Sequence, residues 1–415
     1  MLDIKFIREN RELVEKNNKT RGVKVDLAKL LDLDGNRREL IHAIEGKRSE
    51  LKKSSKSKPN PDEIKKLKSL GEEIKESEAG LAKIESEFSE FMGRIPNLTH
   101  PDSPVGGEED FKVLSEHGTA PHFDFQPKTH DQIGADLDLL DFERGAKVAE
   151  SKFYFAKNDL VRMNQALLNY GIDIVTAHGY TLMETPDVAK SEIMTGVGFT
   201  PRGPEKQIYS IEDTDLSLIA TAEITVGGYH ADEVLDLSKG PLKYVALSHC
   251  FRVEGGAYGK ENKGLYRVHQ FTKLEMFVFC KPEESETMHQ ELLGIEKEIC
   301  DGLEIPYRVI DIATGELGGP AYRKYDLEAW MVMKGERGGY GEITSTSNCT
   351  DYQARRLNIR YKKPDGTNAF AHTLNGTAIV LTRFPVAILE NFQQQDGSIK
   401  IPKVLRKYMG KDEIR

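Results

Sequence analysis

The stretch that decides the fold runs from His249 to Phe279 and reads HCFRVEGGAYGKENKGLYRVHQFTKLEMFVF. Two runs rich in apolar residues flank a glycine-rich loop, an arrangement typical of a strand, a loop and a returning strand. Side chains two positions apart on a strand point to the same face. We therefore expect Arg252 and Glu254 to share one face, with Glu275 joining them from the returning strand.

This set of side chains suits a nucleotide. A guanidinium group can donate two hydrogen bonds to phosphate oxygens, and an aromatic ring such as Phe271 can stack on a base. The same charges also occur in ordinary salt bridges on a solvated sheet. The charge pattern alone leaves both interpretations open.

The composition bounds the class of protein. The chain has 415 residues, 38% hydrophobic and 30% charged, which is typical of a soluble globular protein of about two or three domains. With 58 basic and 67 acidic residues its net charge is −9, so any contact with nucleic acid must be local. The four cysteines form no CxxC pair, which argues against a disulfide framework and a Cys-rich zinc site. No apolar run of about 18 residues predicts a membrane span, and the N-terminus lacks the features of a signal or transit peptide.

The N-terminal region predicts a helical hairpin. Residues 1 to about 35 suggest a short helix and a loop, and residues 36–58 a basic helix with eight basic and three acidic side chains. Pro59 and Pro61 then separate it from a second helix. That helix carries a coiled-coil seam in which seven of eight positions are apolar: Leu67, Leu70, Ile74, Ser77, Leu81, Ile84, Phe88 and Phe91.

Proline and glycine cluster between Gly93 and Asp110, which predicts a boundary between an N-terminal domain, residues 1–105, and a second domain, residues 106–415. The second domain mixes helical periods, at residues 160–170 and 283–303, with short β-rich runs such as YVALSHCF, KLEMFVFC and AIVLTRF. This mixture favours an α+β fold, with an antiparallel sheet flanked by helices, over repeated βαβ units.

Three segments resemble the signature motifs of the class II aminoacyl-tRNA synthetases. Phe251 to Glu254 (FRVE), followed by Arg267 and Phe271, resembles motif 2. The segment GYTLMETP, from Gly179 to Pro186, resembles motif 1, the helix and strand of the dimer interface. GTAIVLTR, ending at Arg383, followed by PVAILENFQ, resembles motif 3.

Further segments are similar to the seryl-tRNA synthetase family: Thr221-Ala222-Glu223, HQFTKLEMF, YDLEAW, EITSTSNCTDYQARRLNIRY and HTLNGTA. The hairpin looks like the tRNA-binding arm of that family, and the likeness extends over essentially the whole chain. It implies a class II catalytic domain with a coiled-coil arm, and a cytoplasmic homodimer with no membrane association.

The resemblance also implies roles for individual residues. Arg252 and Arg383 would be catalytic, with Arg252 on the α-phosphate of ATP and Arg267 and Arg383 on the outer phosphates. Phe271 would stack on the adenine. The full implied ATP set is Arg252, Val253, Glu254, Arg267, Val268, Phe271, Glu342, Ile343, Thr344, Ser345 and Arg383. Glu342 and Ser345 match the family's metal-binding pair and offer oxygen ligands suited to Mg²⁺.

The serine pocket implied by the resemblance comprises Thr221, Ala222, Glu223, Arg252, Glu275, Asn375 and Thr377. Its carboxylates would pair with the ammonium group of the substrate and its polar groups with the hydroxyl. The implied reaction converts L-serine and ATP to seryl-adenylate and transfers the seryl group to the 3′ end of tRNA(Ser), and of tRNA(Sec) where present.

The basic helix would contact the tRNA through Arg37, Arg38, Lys47, Arg48, Lys52 and Lys53. A charged rod suits a phosphate backbone and recognises RNA by shape. Other interpretations remain: a dimerisation coiled coil, a paralogue that activates serine for a carrier other than tRNA, or an inactive RNA-binding protein. The first arm helix is also expected to be short for the family, because Pro59 ends it.

Overall fold

The computed structural model describes residues 1–54, 61–199, 208–254 and 264–415, which divide into two units, Met1–Leu98 and Thr99–Arg415. The first unit contains α1 (Ile4–Glu9), α2 (Arg11–Thr20), α3 (Leu27–Ser54) and α4 (Pro61–Arg94). Helices α3 and α4 form the predicted hairpin, and all eight seam positions of α4 are buried or half-buried. The coiled-coil arm is therefore confirmed, and at about 1.5 Å per residue α4 is about 51 Å long.

The first arm helix begins at Leu27, not near Asn36, so the loop predicted to extend to about residue 35 was too long: it ends at residue 26. The Asp26 side chain accepts a hydrogen bond from the backbone N–H of Lys29 at 3.0 Å, which satisfies a donor at the helix start. The added turns also bury Leu27 and Leu30 in a core shared with α1, α2 and the end of α4. A helix that began near residue 36 would not contain Leu27 and Leu30, which pack into this core.

The second unit combines short and long helices with seventeen described strands. Its helices are α5 (His130–Asp136), α6 (Phe142–Val148), α7 (Asn158–Ala177), α8 (Ser191–Val197), α9 (Ala222–Gly228), α10 (Ser285–Gly302), α11 (Tyr352–Arg356), α12 (Phe384–Asn391) and α13 (Lys403–Met409). Its strands are β1 (Lys112–His117), β2 (Leu140–Asp141), β3 (Phe155–Ala156), β4 (Thr181–Glu184), β5 (Val188–Lys190), β6 (Leu216–Leu218), β7 (Val234–Leu235), β8 (Leu242–Phe251), β9 (Gln270–Cys280), β10 (Tyr307–Asp311), β11 (Arg323–Met331), β12 (Gly339–Asn348), β13 (Arg360–Lys362), β14 (Asn368–Phe370), β15 (His372–Val380), β16 (Ile399–Lys400) and β17 (Glu413–Ile414). No helix in the described ranges is long and apolar enough to cross a bilayer.

Eight strands form the central sheet in the order β1-β10-β11-β12-β15-β9-β8-β4. Neighbouring strands are antiparallel, as predicted, except at one edge, where β4 runs parallel to β8. The sheet is therefore mixed. Because short strands and two described helices, α8 and α9, lie between β4 and β8, the chain has the length that a parallel connection needs.

Strand β9 shows why the run KLEMFVFC is nearly all apolar. It lies between β8 and β15, and both of its faces are covered. Leu274, Met276 and Val278 belong to the core that includes α7 and α10, whereas Phe277 and Phe279 belong to the core that includes α9. By strand alternation Glu275 projects on the face of Phe277, toward α9.

Candidate functional site

Arg252 and Arg383 line the same cavity. This cavity, which we term the arginine cavity, is lined by Arg252, Glu254, Tyr266, Arg267, Val268, Phe271, Lys273, Glu342, Ile343, Thr344, Thr377, Val380, Thr382 and Arg383. It brings together the residues predicted for ATP apart from Val253 and Ser345, which belong to the same segments but are not among its lining residues. Residues 255–263, most of the glycine-rich loop, lie outside the described residues.

Arg252 and Glu254 reach the cavity by a route that differs from the prediction. Strand β8 ends at Phe251, so strand alternation does not align the two side chains. Glu254 instead has a φ of 48°, in the left-handed region. The backbone of Arg252 is held by His269, whose carbonyl accepts from the Arg252 N–H at 2.9 Å and whose Nδ1 donates to the Arg252 carbonyl at 2.9 Å. Irregular backbone with a left-handed residue at Glu254 therefore replaces the expected strand geometry.

Each of the two arginines lies over an aromatic ring. The guanidinium carbon of Arg252 is 5.2 Å from the centre of Phe271, and its Nε donates to the carbonyl of Ala220 at 3.3 Å. The guanidinium carbon of Arg383 is 5.0 Å from the centre of Tyr266. Stacking of this kind holds a guanidinium plane in place while leaving N–H groups for an anion.

Ion pairs hold several charged side chains in or beside the cavity. Arg267 Nε is 2.5 Å from Glu254 Oε2, Arg383 Nη1 is 2.8 Å from Glu342 Oε1, and Lys273 Nζ is 2.5 Å from Glu275 Oε2. Burial acts to raise the pKa of Glu342, but Arg383 and Lys324 outweigh it and the pKa is lowered. The Glu342 carboxylate thus remains charged and keeps Arg383 in place.

A β-bulge puts Glu342 and Ser345 on one face despite their spacing of three. Ser345 lies opposite Asp326 and Glu342 opposite Glu328, with a register shift between them, so β12 carries one extra residue, Ile343. Burial raises the pKa of Asp326 to about 7, and within the described residues its Oδ1 has no hydrogen-bond partner. This group of oxygens has the hard character that Mg²⁺ prefers.

A second cavity of about 330 Å³ adjoins the first along β15. Its lining includes Glu223, Ser347, Cys349 and Asn375, together with residues 197–199 and 317–321. Asn375 lines this cavity, and Thr377, two positions along on the same face of β15, lines the arginine cavity. The two spaces therefore meet at this strand.

Four of the seven residues predicted for serine line the two cavities. Glu223 and Asn375 line the second cavity, whereas Arg252 and Thr377 line the arginine cavity. Glu275 is buried, and its Oε2 accepts from Thr377 Oγ1 at 3.2 Å. The other two, Thr221 and Ala222, are buried at the start of α9, where the Thr221 side chain caps the helix.

Gln353 is a neighbour of Glu223 that the sequence patterns do not predict. Its Nε2 donates to Glu223 Oε1 at 2.7 Å, and its Oε1 accepts from Thr373 Oγ1 at 2.7 Å, which fixes the orientation of the amide. Burial, followed by the nearby charge of Glu275, raises the pKa of Glu223 to about 7. No local pattern marks Gln353, because its partners are distant in the chain.

Lys273 is a further site residue absent from the predicted set, although the sequence carries a signal for it. It lines the arginine cavity and pairs with Glu275. Burying two charged side chains in an otherwise apolar run costs desolvation free energy unless the two charges pair. The segment KLE within KLEMFVFC therefore indicates a polar site.

The predicted tRNA-binding side chains lie on α3, and several of them form ion pairs across the hairpin. Lys47 pairs with Glu73 at 3.0 Å and Arg48 with Glu78 at 2.6 Å. Further pairs are Arg37 with Glu85 at 3.3 Å and, within α3, Arg38 with Asp34 at 3.2 Å. Lys52 and Lys53 follow in the last turn of α3. Asp34 is buried, but the other three pairs lie at the surface, where ion pairs are weak and can exchange partners.

Known proteins resemble this chain over its whole length. The family described as Seryl-tRNA synthetase N-terminal domain matches residues 1–99, and the family described as tRNA synthetase class II core domain (G, H, P, S and T) matches residues 208–392. The serine–tRNA ligase of Treponema denticola is 54% identical over 423 residues, covering 100% of both chains.

Solved structures agree. The crystal structure of seryl-tRNA synthetase from Pyrococcus horikoshii complexed with ATP superposes with a TM-score of 0.89 at 39% identity, covering 100% of this chain and 99% of that chain. The cytoplasmic serine–tRNA ligase from Naegleria fowleri in complex with AMP gives a TM-score of 0.86 at 35% identity with the same coverage. The chain therefore belongs to the seryl-tRNA synthetase family of aminoacyl-tRNA ligases.

Proposed function

We propose that this protein activates L-serine with ATP and transfers the seryl group to the 3′ end of tRNA(Ser), and of tRNA(Sec) where present. The observation that carries the proposal is the meeting of Arg252 and Arg383 in one cavity that adjoins the cavity of Glu223 and Asn375. A nucleotide and a small polar substrate can then lie side by side.

ATP would occupy the arginine cavity. Arg252 would hold the α-phosphate, Arg267 and Arg383 the outer phosphates, and Phe271 the adenine. The ion pairs that Arg267 and Arg383 already make keep both side chains in place before the nucleotide arrives. Groups held in advance need no reorganisation during the reaction, which is the main source of electrostatic catalysis.

Glu342 and Ser345 would hold Mg²⁺. The bulge that places them on one face, and the Oδ1 of Asp326 opposite Ser345, which has no hydrogen-bond partner among the described residues, fit a cation with oxygen ligands. When bound, the metal would neutralise phosphate charge. Arg383, which pairs with Glu342, links the proposed metal ligand to the phosphate-binding side of the cavity.

L-Serine would lie where the cavities meet. The Glu223 and Glu275 carboxylates would pair with its ammonium group, and Asn375 and Thr377 would face its hydroxyl. A pocket whose buried polar groups pair with a hydroxyl rejects a substrate that lacks it, by up to about 10⁴ to 10⁵ in specificity.

The proposed reaction needs no protein nucleophile. An oxygen of the serine carboxylate attacks the α-phosphorus, the bond to the β-phosphate bridging oxygen breaks, and pyrophosphate leaves. The terminal ribose hydroxyl of the tRNA then attacks the seryl carbonyl, losing its proton, and AMP leaves. Positioning and charge neutralisation supply the catalysis.

The N-terminal unit would bind the tRNA through the basic face of α3, and the protein would act as a cytoplasmic homodimer. The outer edge of β4 supports the dimer, because it is an edge of the central sheet and Leu182 on it is 47% exposed. An edge strand presents backbone N–H and C=O groups with which the edge of a second copy can pair.

Pyrophosphate exchange and tRNA charging test the proposal together. We expect exchange that depends on serine, with threonine and cysteine far weaker, and charging of tRNA(Ser) from a matched source. Absence of serine-dependent exchange would refute the proposed activity. Exchange without charging would favour a paralogue that delivers serine to another carrier.

A further inference from the structure

His130 and Glu390 form a buried pair outside both cavities. His130 begins α5 and is 1% exposed, and Glu390 lies in α12 and is fully buried. His130 Nδ1 is 2.8 Å from Glu390 Oε1, and the backbone N–H of His130 donates to the same oxygen at 2.8 Å. The segment resembling motif 3 thus contributes a carboxylate that does not reach the arginine cavity.

The other ring nitrogen of His130 holds the returning end of the motif 2 segment. The backbone N–H of Leu265 points to His130 Nε2 at 2.9 Å. Because a backbone N–H can only donate, Nε2 must carry a lone pair, and the ring proton must be on Nδ1, where it is donated to Glu390. Glu390 and the Leu265 N–H together select the neutral tautomer of His130 that carries its proton on Nδ1.

The chain passes close to this ring. Gly264 has a φ of 62°, and a Cβ at this position would lie 2.3 Å from His130 Nε2. Only glycine therefore allows the backbone of Leu265 to approach the imidazole in this conformation. The packing of Gly264 and the hydrogen bond from Leu265 thus both act on His130 Nε2.

The anchored segment carries side chains of the arginine cavity. Tyr266 follows Leu265, lies under the guanidinium of Arg383 and donates from its hydroxyl to the carbonyl of Glu342 at 3.0 Å. Glu390 Oε2 also accepts from the backbone N–H of Met333 at 2.9 Å, which ties the same carboxylate to the turn after β11. One histidine and one carboxylate thereby connect four separate segments.

We propose that His130 is a positioning residue for the nucleotide: with Glu390 it fixes the return of the motif 2 segment, so that Tyr266 and Arg267 meet Arg383 in the arginine cavity. The inference rests on the proposed function, because it assigns that cavity to ATP. His130 itself touches no reacting group, and its effect passes through the backbone of Leu265.

Two substitutions separate the two bonds of the ring. His130→Gln places an amide oxygen near the position of Nε2 and can still accept from Leu265. His130→Asn keeps a donor near the position of Nδ1 and loses the bond to Leu265. We expect His130→Asn to raise the KM for ATP about tenfold, the size of effect that one buried hydrogen bond allows, with the KM for serine within about twofold. His130→Gln should recover most of the loss.

The control is His122→Asn, because the His122 side chain is 92% exposed and the substitution is the same. It should leave both KM values unchanged. If His130→Asn lowers Tm without changing the KM for ATP, His130 is only part of the core and the proposal is wrong. Equal impairment of the Asn and Gln variants would also overturn it, since the acceptor to Leu265 would then not matter.

Gly264→Ala tests the same contact should the His130 variants fail to fold. Its methyl group would push against the imidazole, and we expect the same selective rise in the KM for ATP. An unchanged KM for ATP in this variant would contradict the proposal. Calorimetric titration with ATP alone tests the positioning role of His130 separately from the proposed activation of serine. Loss of ATP affinity in His130→Asn supports the positioning role even if the wild-type protein lacks serine-dependent exchange.

Discussion

Arg252 and Arg383 face one cavity, although the strands β9 to β15 separate them in the chain. Each lies over its own aromatic ring, at 5.2 Å and 5.0 Å. The two guanidinium groups approach from the end of β8 and from the end of β15, so an anion between them would be held from two sides. Their convergence gives the catalytic proposal its geometric basis.

Arg252→Ala should reduce serine-dependent pyrophosphate exchange by about 10² to 10³ and leave the protein folded. The removed group would stabilise charge that develops at the α-phosphate, and deleting one such donor has an effect of this size. Exchange rates and thermal unfolding, measured side by side, check the prediction. Arg144→Ala is the control, because the Arg144 side chain is 75% exposed and pairs with its near neighbour Asp141. Exchange near the wild-type rate in Arg252→Ala would remove the proposed role of Arg252.

Serine affinity should fall as the pH drops through about 7. Burial raises the pKa of Glu223 to about 7, and only the ionised form pairs with the substrate ammonium. Above the pKa the carboxylate is charged and binding is strongest. Below it, affinity should fall by about tenfold per pH unit. Calorimetric titration with serine between about pH 5.5 and 8, on either side of that pKa, measures this dependence.

Glu223→Gln provides the matched test of that pH dependence. It should bind serine weakly and with no slope near pH 7, because the amide does not titrate. Glu192→Gln, on the surface of α8, should behave as the wild-type protein. A slope that persists in Glu223→Gln would assign the titration to another group.

The arm should bind RNA through the charge of α3 rather than only hold the hairpin together. Arg48→Glu should raise the KM for tRNA in charging and spare pyrophosphate exchange. The substitution should also weaken the salt dependence of tRNA binding. The slope of log K against the logarithm of the salt concentration should become shallower by about one unit for each phosphate that α3 no longer neutralises. Because Arg48 pairs with Glu78, the swap Arg48→Glu with Glu78→Arg restores the ion pair. The swap should recover Tm, whereas the KM for tRNA should stay high. Recovery of both would give the pair a structural role alone.

The two edges of the central sheet should differ in their effect on assembly. Leu182→Asp on β4 should convert the proposed dimer to a monomer, because a carboxylate at an exposed edge opposes pairing with a second copy. Val113→Asp on β1, at the opposite edge and 40% exposed, should remain dimeric. Sedimentation velocity distinguishes these outcomes. Identical behaviour of the two variants would exclude β4 as the proposed interface.

Local patterns predicted much of the fold. The seam from Leu67 to Phe91 predicts a coiled coil because residues three and four apart share a helix face, and the structure buries or half-buries those positions. The runs YVALSHCF and KLEMFVFC predicted the strands β8 and β9, whereas the run AIVLTRF overlaps only the last three residues of β15. The start of α3 was predicted wrongly because the need for its extra turns comes from a core that α1, α2 and α4 complete.

The sequence alone determined the family, the helical arm and most of the residue types that line the arginine cavity, since each depends on neighbours a few positions apart. Tertiary structure decided how those residues meet. The left-handed conformation of Glu254, the bulge at Ile343, and the contacts of Gln353 and His130 involve groups that approach only after the sheet has formed. A periodic pattern records which face a side chain occupies, and it contains no information on which distant group fills the space opposite.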